Sequence, residues 1–291
     1  MGSAKQKINR SSGRPVGIFD SGIGGLTVLK EINKLLPKED LIYLGDTARV
    51  PYGTKSPETV NRYSLENTKF LLSKNVKAVV VACNTASATS VPELRKTFRN
   101  LPILGMIEAG VEEAMRRTSS GRIGVIGTSA TIRSGRYEAL LRESGAAEVI
   151  SVACPLFVPL AEEGWTGNSV ARDAAKLYLE PVSRKEVDTL ILGCTHYPLL
   201  QTTIASVCGT GVSLVNSAYA AAVKLADILS DEKLIGGDGK GDKSFFVTDS
   251  IERALEVGGR FLGEDLSGHI QIADLSTYSP RGESTNLRTK E

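Results

Sequence analysis

The sequence predicts an α/β protein built from parallel sheets flanked by helices, and three observations support this prediction. From Val16 onward, short runs rich in β-branched residues alternate with longer amphipathic segments, the pattern typical of parallel sheets covered by helices. The most apolar stretches, such as residues 77–82, have strand length and are far shorter than the roughly 18 residues that cross a bilayer. The 291 residues, 41% of them hydrophobic, suit one large or two modest globular domains.

The predicted elements follow one another regularly. The ten strands are expected to end at Asp20, Gly45, Ala82, Met106, Gly127, Ala153, Gly193, Val215, Val247 and Ala273. The first helix begins near Gly24 and has an apolar face formed by Leu26, Leu29, Ile32 and Leu36. The second helix has Ser56 as its N-cap and Pro57 as its first residue, a position that proline favours.

Charge and the chain ends exclude several classes of protein. The 35 basic and 33 acidic residues give a net charge of +2, so bulk electrostatics predict neither a nucleic-acid partner nor a membrane surface. Residues 1–14 carry four basic and no acidic side chains, without the apolar segment of a secretory signal. Both this leader and the polar tail, residues 276–291, are predicted to be disordered.

Two pairs of segments resemble each other within the chain. Residues 77–85 and 188–196 each form an apolar run that leads into a cysteine and small polar residues. Residues 16–22 and 123–129 each lead from an apolar run into glycine and hydroxyl residues. These similarities suggest two alike halves, although similarities this short also arise by chance among α/β units.

Polar residues collect at the predicted carboxyl ends of the strands. Ligands of open parallel sheets bind in the crevice outside these ends. The groups expected there are Asp20-Ser21-Gly22, Gly45-Asp46-Thr47, Cys83-Asn84-Thr85, Gly127-Thr128 and Cys194-Thr195-His196. The glycines of residues 22–25 lack the G-x-G-x-x-G spacing, and no G-x-x-x-x-G-K occurs, so nucleotide binding is not expected.

Two of the four cysteines are candidates for chemistry. No C-x-x-C pair occurs and the chain has only two histidines, so neither a disulfide framework nor a zinc site has its usual spacing. Cys154 and Cys208 are interpreted as small buried apolar residues. Cys83 and Cys194 each follow a strand and precede a helix, where the helix N-terminus is expected to lower the pKa of a thiol.

Two such thiols on opposite sides of a cleft suit the inversion of a carbon acid. One thiolate removes a proton from one face of Cα while the other thiol protonates the opposite face. His196 is expected to tune Cys194, and Asp20 to assist Cys83, although Asp20 and Ser21 could simply cap a helix. A nucleophilic Cys194–His196 pair is the second interpretation, but it leaves Cys83 without a role.

Several neutral side chains could hold a carboxylate together with backbone N–H groups at helix starts. They are Ser21, Asn84, Thr85, Thr128 and Thr195.

The motifs together resemble those of the glutamate racemases, cofactor-independent amino-acid racemases of bacteria. The resemblance runs from about Val16 to Asp274, and its motifs are Asp20-Ser21-Gly22-Ile23-Gly24-Gly25-Leu26, Tyr43-Leu44-Gly45-Asp46, Pro51-Tyr52-Gly53, Cys83-Asn84-Thr85 and Gly193-Cys194-Thr195-His196-Tyr197-Pro198-Leu199. The C-T-H-Y form differs from the C-T-E typical of the related aspartate racemases.

The resemblance implies two α/β domains with the active site in the cleft between them. Residues 15–105 and 217–275 would form the first domain, and residues 106–216 the second. By similarity, Cys83 would exchange the Cα proton of D-glutamate with Asp20 assisting, and Cys194 that of L-glutamate. His196 would assist Cys194, and Glu162 resembles a further acidic residue of the family.

The resemblance also implies the substrate contacts and the setting of the reaction. The contact residues would be Ser21, Tyr52, Gly53, Asn84, Thr85, Thr128, Thr131 and Thr195. Val50 stands where many members have a cysteine. No metal and no pyridoxal phosphate would be needed, and a cytoplasmic homodimer would supply D-glutamate for peptidoglycan.

Two alternatives remain open at the level of sequence. A relative that acts on aspartate or another carbon acid would share the paired cysteines and differ in its pocket. A regulatory protein that acts on DNA gyrase, as some members of the family are reported to do, is favoured only by the basic leader, residues 1–14.

Overall fold

The computed structural model describes residues 12–236 and 239–278. The strands in this part of the chain are β1 Val16–Asp20, β2 Leu41–Gly45, β3 Ala78–Val81, β4 Ile103–Gly105, β5 Arg122–Gly127, β6 Glu148–Ala153, β7 Thr189–Gly193, β8 Ser213–Asn216, β9 Lys243–Val247 and β10 Ile270–Ile272. All pair in parallel. The predicted α/β class is therefore confirmed, and each strand ends within one residue of its predicted end.

Helices follow almost every strand. They are α1 Leu26–Leu35, α2 Pro57–Ser73, α3 Asn84–Thr97, α4 Met106–Arg117, α5 Ser129–Arg133, α6 Arg136–Glu143, α7 Phe157–Glu162, α8 Ser169–Arg184, α9 Gln201–Cys208, α10 Ser217–Asp231 and α11 Ile251–Leu262. Short 3-10 turns lie at Thr47–Arg49, Tyr52–Thr54, Tyr197–Leu200 and Ser276–Tyr278. As predicted, Ser56 caps α2 by accepting the N–H of Thr59, and Pro57 is its first residue.

The two sheets repeat one strand order. The first sheet runs β10-β9-β2-β1-β3-β4 and the second runs β6-β5-β7-β8. The order β2-β1-β3-β4 in the first thus matches β6-β5-β7-β8 in the second. The strand order reverses between β1 and β3 in the first sheet and between β5 and β7 in the second. Such a reversal opens a crevice at the carboxyl ends of the two strands.

Two helices connect the sheets. The chain leaves the first sheet through α4 after β4, and returns through α10 after β8 to complete that sheet with β9 and β10. These two helices pack against each other, and α10 also packs on α1. One hydrophobic cluster contains residues of both sheets, such as Ile18 and Leu192, so the sheets share a continuous core.

The start of α1 differs from the sequence prediction by two residues. The helix begins at Leu26 rather than near Gly24, with Gly25 as its N-cap. A Cβ added at Gly25 would lie 2.5 Å from the Cβ of Asp20, so the chain passes too close to β1 for any side chain. The predicted apolar face is present, since Leu26, Leu29 and Ile32 are buried.

The inner end of the predicted leader is held by the fold. Residues 1–11 lie outside the described residues. The carbonyl of Ser12 accepts a hydrogen bond of 2.6 Å from Nζ of Lys77. Disorder is therefore the wrong prediction for Ser12, because this backbone group helps to satisfy a fully buried ammonium.

The predicted disordered tail also begins too early. Ser276–Tyr278 form a 3-10 turn, and the ring of Tyr278 lies edge-on to that of Phe70, with centroids 6.1 Å apart. The Tyr278 hydroxyl also donates to Oγ of Ser73 at 2.9 Å, so the turn is attached to α2. Residues 279–291 lie outside the described residues.

Lys77 and Glu39 form a buried ion pair at the amino ends of the strands in the first sheet. Their side chains are 0% and 2% exposed. The second carboxylate oxygen of Glu39 accepts the N–H of Gly236 at 2.8 Å. The pair thus joins the start of β3, the segment before β2 and the loop after α10.

We expect Lys77→Met to lower the free energy of unfolding by about 3–5 kcal/mol, because it leaves the Glu39 carboxylate buried without its counter-charge. Urea denaturation measures the loss. Lys176→Met is the matched control: its partner is Asp173, both side chains are 67% exposed, and we expect a change below about 0.5 kcal/mol. Equal losses in the two variants would contradict this account.

Candidate active site

Asp20 and Cys83 meet at the crevice of the first sheet. Asp20 ends β1 and Cys83 is the N-cap of α3, directly after the neighbouring β3. The Cys83 thiol lies 3.6 Å from Oγ of Ser21. Oδ2 of Asp20 accepts the N–H of Gly22 at 3.0 Å, whereas its buried Oδ1 finds no partner within the described residues. An unpaired carboxylate oxygen therefore remains beside the first thiol.

Burial governs the protonation of this pair. It raises the pKa of Asp20, against the charge of His196 and nearby backbone N–H groups. It also raises the pKa of Cys83 to about 12, an effect to which the charge of Asp20 adds. The backbone N–H of Ala86 at the start of α3 lowers the pKa of Cys83, as expected, but the loss of hydration outweighs this effect.

Cys194, His196 and Glu162 form a chain of polar contacts at the crevice of the second sheet. Cys194 follows β7, and its sulfur lies 3.8 Å from Nδ1 of His196. Nε2 of His196 lies 3.1 Å from Oε1 of Glu162, the last residue of α7. Neighbouring Glu163 is 60% exposed and faces Arg253 at 3.5 Å. Of the two neighbouring glutamates, it is therefore Glu162 whose side chain reaches the imidazole.

The imidazole of His196 is held in its charged form. Burial opposes the charge, but hydrogen bonds to Cys194 and Glu162 prevail and raise the pKa of His196 to about 10. The hydrogen bond with His196 in turn lowers the pKa of Glu162. Because the pKa of His196 in the folded protein exceeds its ordinary value of 6.5, this interaction stabilises the fold fully below pH 6.5. That stability is lost as the pH rises through about 10.

Three threonine hydroxyls meet between the sheets. The hydroxyl of Thr85 in α3 lies 2.9 Å from that of Thr128, the N-cap of α5, and 3.2 Å from that of Thr131 in the first turn of α5. The turn that carries Gly53 lies against the same helix, because a Cβ added there would be 3.2 Å from Cβ of Thr128. Predicted contact residues from both sheets are thus brought together.

A second close contact joins the residues around the two crevices. Oγ1 of Thr27 donates to the carbonyl of Thr195 at 2.9 Å. A Cβ at Gly24 would lie 2.4 Å from Oγ1 of Thr195 and 2.5 Å from Nδ1 of His196. Only glycine permits this approach. A negative charge on Cys194 raises the pKa of Cys83 further, which places the two thiols within electrostatic reach.

Tyr52 belongs to a polar network beside the first sheet. Its hydroxyl donates to Asp46 and accepts a hydrogen bond of 3.0 Å from Nδ2 of Asn67. Arg49 binds both Asp46 and Glu66. The Tyr52 hydroxyl therefore already donates one hydrogen bond and accepts another within the protein, so a ligand at this turn would contact the backbone of Tyr52–Thr54. Arg49 and Asn67 could not be identified from the sequence, since neither stands in a recognisable motif.

The arrangement provides acid–base groups and neutral donors. The titratable neighbour of Cys83 is Asp20, and that of Cys194 is His196. The residues predicted to contact the substrate carry no charge. In the described part of the chain, no three His, Cys, Asp or Glu residues are grouped so as to hold a metal ion. No helix within residues 12–236 and 239–278 is long and apolar enough to span a membrane.

Comparison with known proteins decides the family. A profile of the Asp/Glu/Hydantoin racemase family matches residues 16–225. The chain belongs to this racemase family. Its relatives include a glutamate racemase of Geobacter metallireducens, 53% identical over 89% of this chain and 97% of that protein. The predicted resemblance to the glutamate racemases is confirmed.

Solved structures of racemases share the fold. A glutamate racemase from Francisella tularensis in complex with D-glutamate has a TM-score of 0.86 and 38% identity, covering 92% of this chain and 100% of that one. An Escherichia coli glutamate racemase, in complex with L-glutamate and the activator UDP-MurNAc-ala, has a TM-score of 0.69 and 34% identity, covering 85% and 95%.

We expect Glu162→Gln to lower the pKa of His196, because the amide keeps the hydrogen bond but removes the negative charge. NMR titration of the imidazole nitrogens measures the shift. The control is Glu163→Gln. Both carboxylates face Arg253, but of the two only that of Glu162 contacts the imidazole, so we expect Glu163→Gln to leave the pKa of His196 near that of the unmodified protein. An unchanged titration in Glu162→Gln would contradict the role given to this contact.

Proposed function

We propose that this protein interconverts L- and D-glutamate by proton transfer at Cα between two thiols, Cys83 and Cys194. The observation that carries the proposal is the pairing of two buried thiols, one at the crevice of each sheet, each with a different titratable partner. The names of the relatives support glutamate as the substrate.

The proposed reaction from L-glutamate begins at Cys194. Its thiolate takes the Cα proton, the Cα–H bond breaks, and the electron pair moves onto the α-carboxylate. The Cys83 thiol then donates its proton to the opposite face, where a new Cα–H bond forms. Reversal from D-glutamate uses the same groups in the opposite order, as the microscopic reversibility of acid–base catalysis requires.

The neighbours of each thiol have proposed roles in resetting its proton. After the L-to-D reaction Cys83 is a thiolate, and Asp20 returns a proton to it from Oδ1. In the reverse reaction Asp20 takes the proton of the Cys83 thiol, and the burial that raises the pKa of Asp20 suits it to carry that proton. The His196 imidazolium, held by Glu162, stabilises negative charge that forms on the sulfur of Cys194. The two thiols therefore reset through unlike partners.

Neutral groups are proposed to hold the two carboxylates of glutamate. The side chains are those of Ser21, Asn84, Thr85, Thr128, Thr131 and Thr195, joined by backbone N–H groups of Tyr52 and Gly53. Donors that are already in place suit an anion whose charge grows in the transition state. The hydroxyl cluster between α3 and α5 supports this assignment.

The product is proposed to be D-glutamate for peptidoglycan synthesis, made in the bacterial cytoplasm by a homodimer without metal or pyridoxal phosphate. The relative solved with UDP-MurNAc-ala supports a link to the cell wall.

The activity is tested by incubating the purified protein with L-glutamate or L-aspartate, without added cofactor, and resolving the enantiomers by chiral chromatography. The proposal expects racemisation of glutamate in preference to aspartate. Turnover of aspartate alone would retain the mechanism and overturn the substrate, and turnover of neither acid would overturn the proposed function.

We expect Cys83→Ser and Cys194→Ser each to lower kcat for racemisation by about 10²- to 10⁴-fold, because a serine hydroxyl is far too weak an acid to replace the thiol. Calorimetry is expected to show that D-glutamate binding is largely kept. Cys208→Ser, at a half-buried thiol at the end of α9, is the matched control and keeps the kcat of the unmodified enzyme. Unmodified turnover in either of the first two variants would refute the two-thiol mechanism.

A further inference from the structure

The side-chain amide of Asn84 carries an unused donor beside the first thiol. Asn84 is the first residue of α3, directly after Cys83, and is 3% exposed. Its Oδ1 accepts a hydrogen bond, but Nδ2 is buried and has no partner within residues 12–236 and 239–278. Leaving a buried amide donor unpaired costs about 1–3 kcal/mol, so the free protein keeps a polar group ready for a ligand.

Tyr137 makes the hydrogen bond that orients this amide. It lies in α6, is 2% exposed, and its hydroxyl donates to Oδ1 of Asn84 at 2.8 Å. Burial raises the pKa of Tyr137, so the phenol keeps its proton at neutral pH. Because the phenol donates this hydrogen bond, Oδ1 is turned towards the tyrosine, and Nδ2 is the group that remains available.

The ring of Tyr137 also contacts the strand that carries the second thiol. A Cβ added at Gly193, the residue before Cys194, would lie 3.2 Å from Cε2 of Tyr137. On the other side, a Cβ at Gly110 in α4 would lie 3.1 Å from the hydroxyl oxygen. Tyr137 is thus held between β7 and α4, and it reaches across to the residue that follows Cys83.

We propose that Tyr137 is a positioning residue for substrate binding, whose hydroxyl holds the amide of Asn84 so that Nδ2 donates to a carboxylate of the substrate. The inference rests on the proposed function in taking that substrate to be glutamate. With the amide turned over, Nδ2 would donate to Tyr137 and the carbonyl oxygen would repel the substrate carboxylate. That orientation would also leave the buried proton of the Tyr137 hydroxyl without its acceptor, because Oδ1 of Asn84 is the one acceptor it has within residues 12–236 and 239–278. Tyr137 therefore favours the orientation that attracts an anion.

Binding without turnover tests the proposal separately from racemisation. The Kd of D-glutamate is measured by calorimetry in the Cys83→Ser/Cys194→Ser protein, with and without Tyr137→Phe, which removes only the hydroxyl. We expect binding about 10-fold weaker in the presence of Tyr137→Phe, the equivalent of one hydrogen bond. With Asn84→Ala also present, Tyr137→Phe is expected to have no further effect, because Tyr137 acts through that amide.

Two further variants test whether the effect depends on the amide of Asn84 and on this particular tyrosine. Asn84→Asp is expected to weaken binding more than Asn84→Ala, because it places a carboxylate opposite that of the substrate. Tyr178→Phe removes another tyrosine hydroxyl of the same domain, one that accepts the N–H of Leu156 at 3.3 Å, and is expected to leave the Kd unchanged.

Several results would overturn the proposal. They are an unchanged Kd with Tyr137→Phe, an equal weakening by Tyr137→Phe in the presence of Asn84→Ala, or binding by Asn84→Asp as tight as that of the protein with Asn84. Failure of the unmodified protein to racemise glutamate would refute the proposed function instead, while the binding comparison still decides the role of Tyr137.

Discussion

The close approach of the two sheets at their carboxyl edges is the constraint on which the rest of the structure depends. A thiol in the crevice of one sheet can serve only one face of a small carbon acid. The hydrogen bond from Thr27 to Thr195 and the tight contact at Gly24 bring the second crevice against the first. Any side chain at position 24 would separate them, so the glycine is required by geometry.

The two crevices have the same strand order but opposite electrostatics. Beside Cys83 lies a buried carboxyl, and beside Cys194 lies an imidazolium supported by Glu162. A carboxylate takes up a proton, whereas an imidazolium stabilises a negative sulfur. The repeated fold therefore supplies the matching positions of the thiols, and the residues next to them make the two faces of the cleft chemically different.

Much of the site could be predicted because its residues are local to strand ends. Asp20, Cys83 and Cys194 each follow an apolar run, and parallel strands bring such positions to one edge. The protonation of Cys83 could not be predicted, because it depends on burial by distant segments. Tyr137 was missed for a related reason: it stands in an ordinary amphipathic helix, 53 residues from its partner Asn84.

The termini show the same limit. A polar composition correctly suggests that a segment cannot form its own core, yet it does not reveal which single residue will attach to an existing one. Tyr278 packs on Phe70, and the carbonyl of Ser12 reaches the buried Lys77. Both contacts join residues far apart in the sequence.

The central claim, that each face of Cα has its own thiol, is tested most directly by racemising L-glutamate in D2O and following deuterium at Cα in both enantiomers by mass spectrometry. In the first few per cent of reaction, two opposed thiols predict D-glutamate that carries solvent deuterium, while the remaining L-glutamate stays undeuterated. D-glutamate that retains the original hydrogen would show that a single base carries the proton between the faces, and would contradict the account.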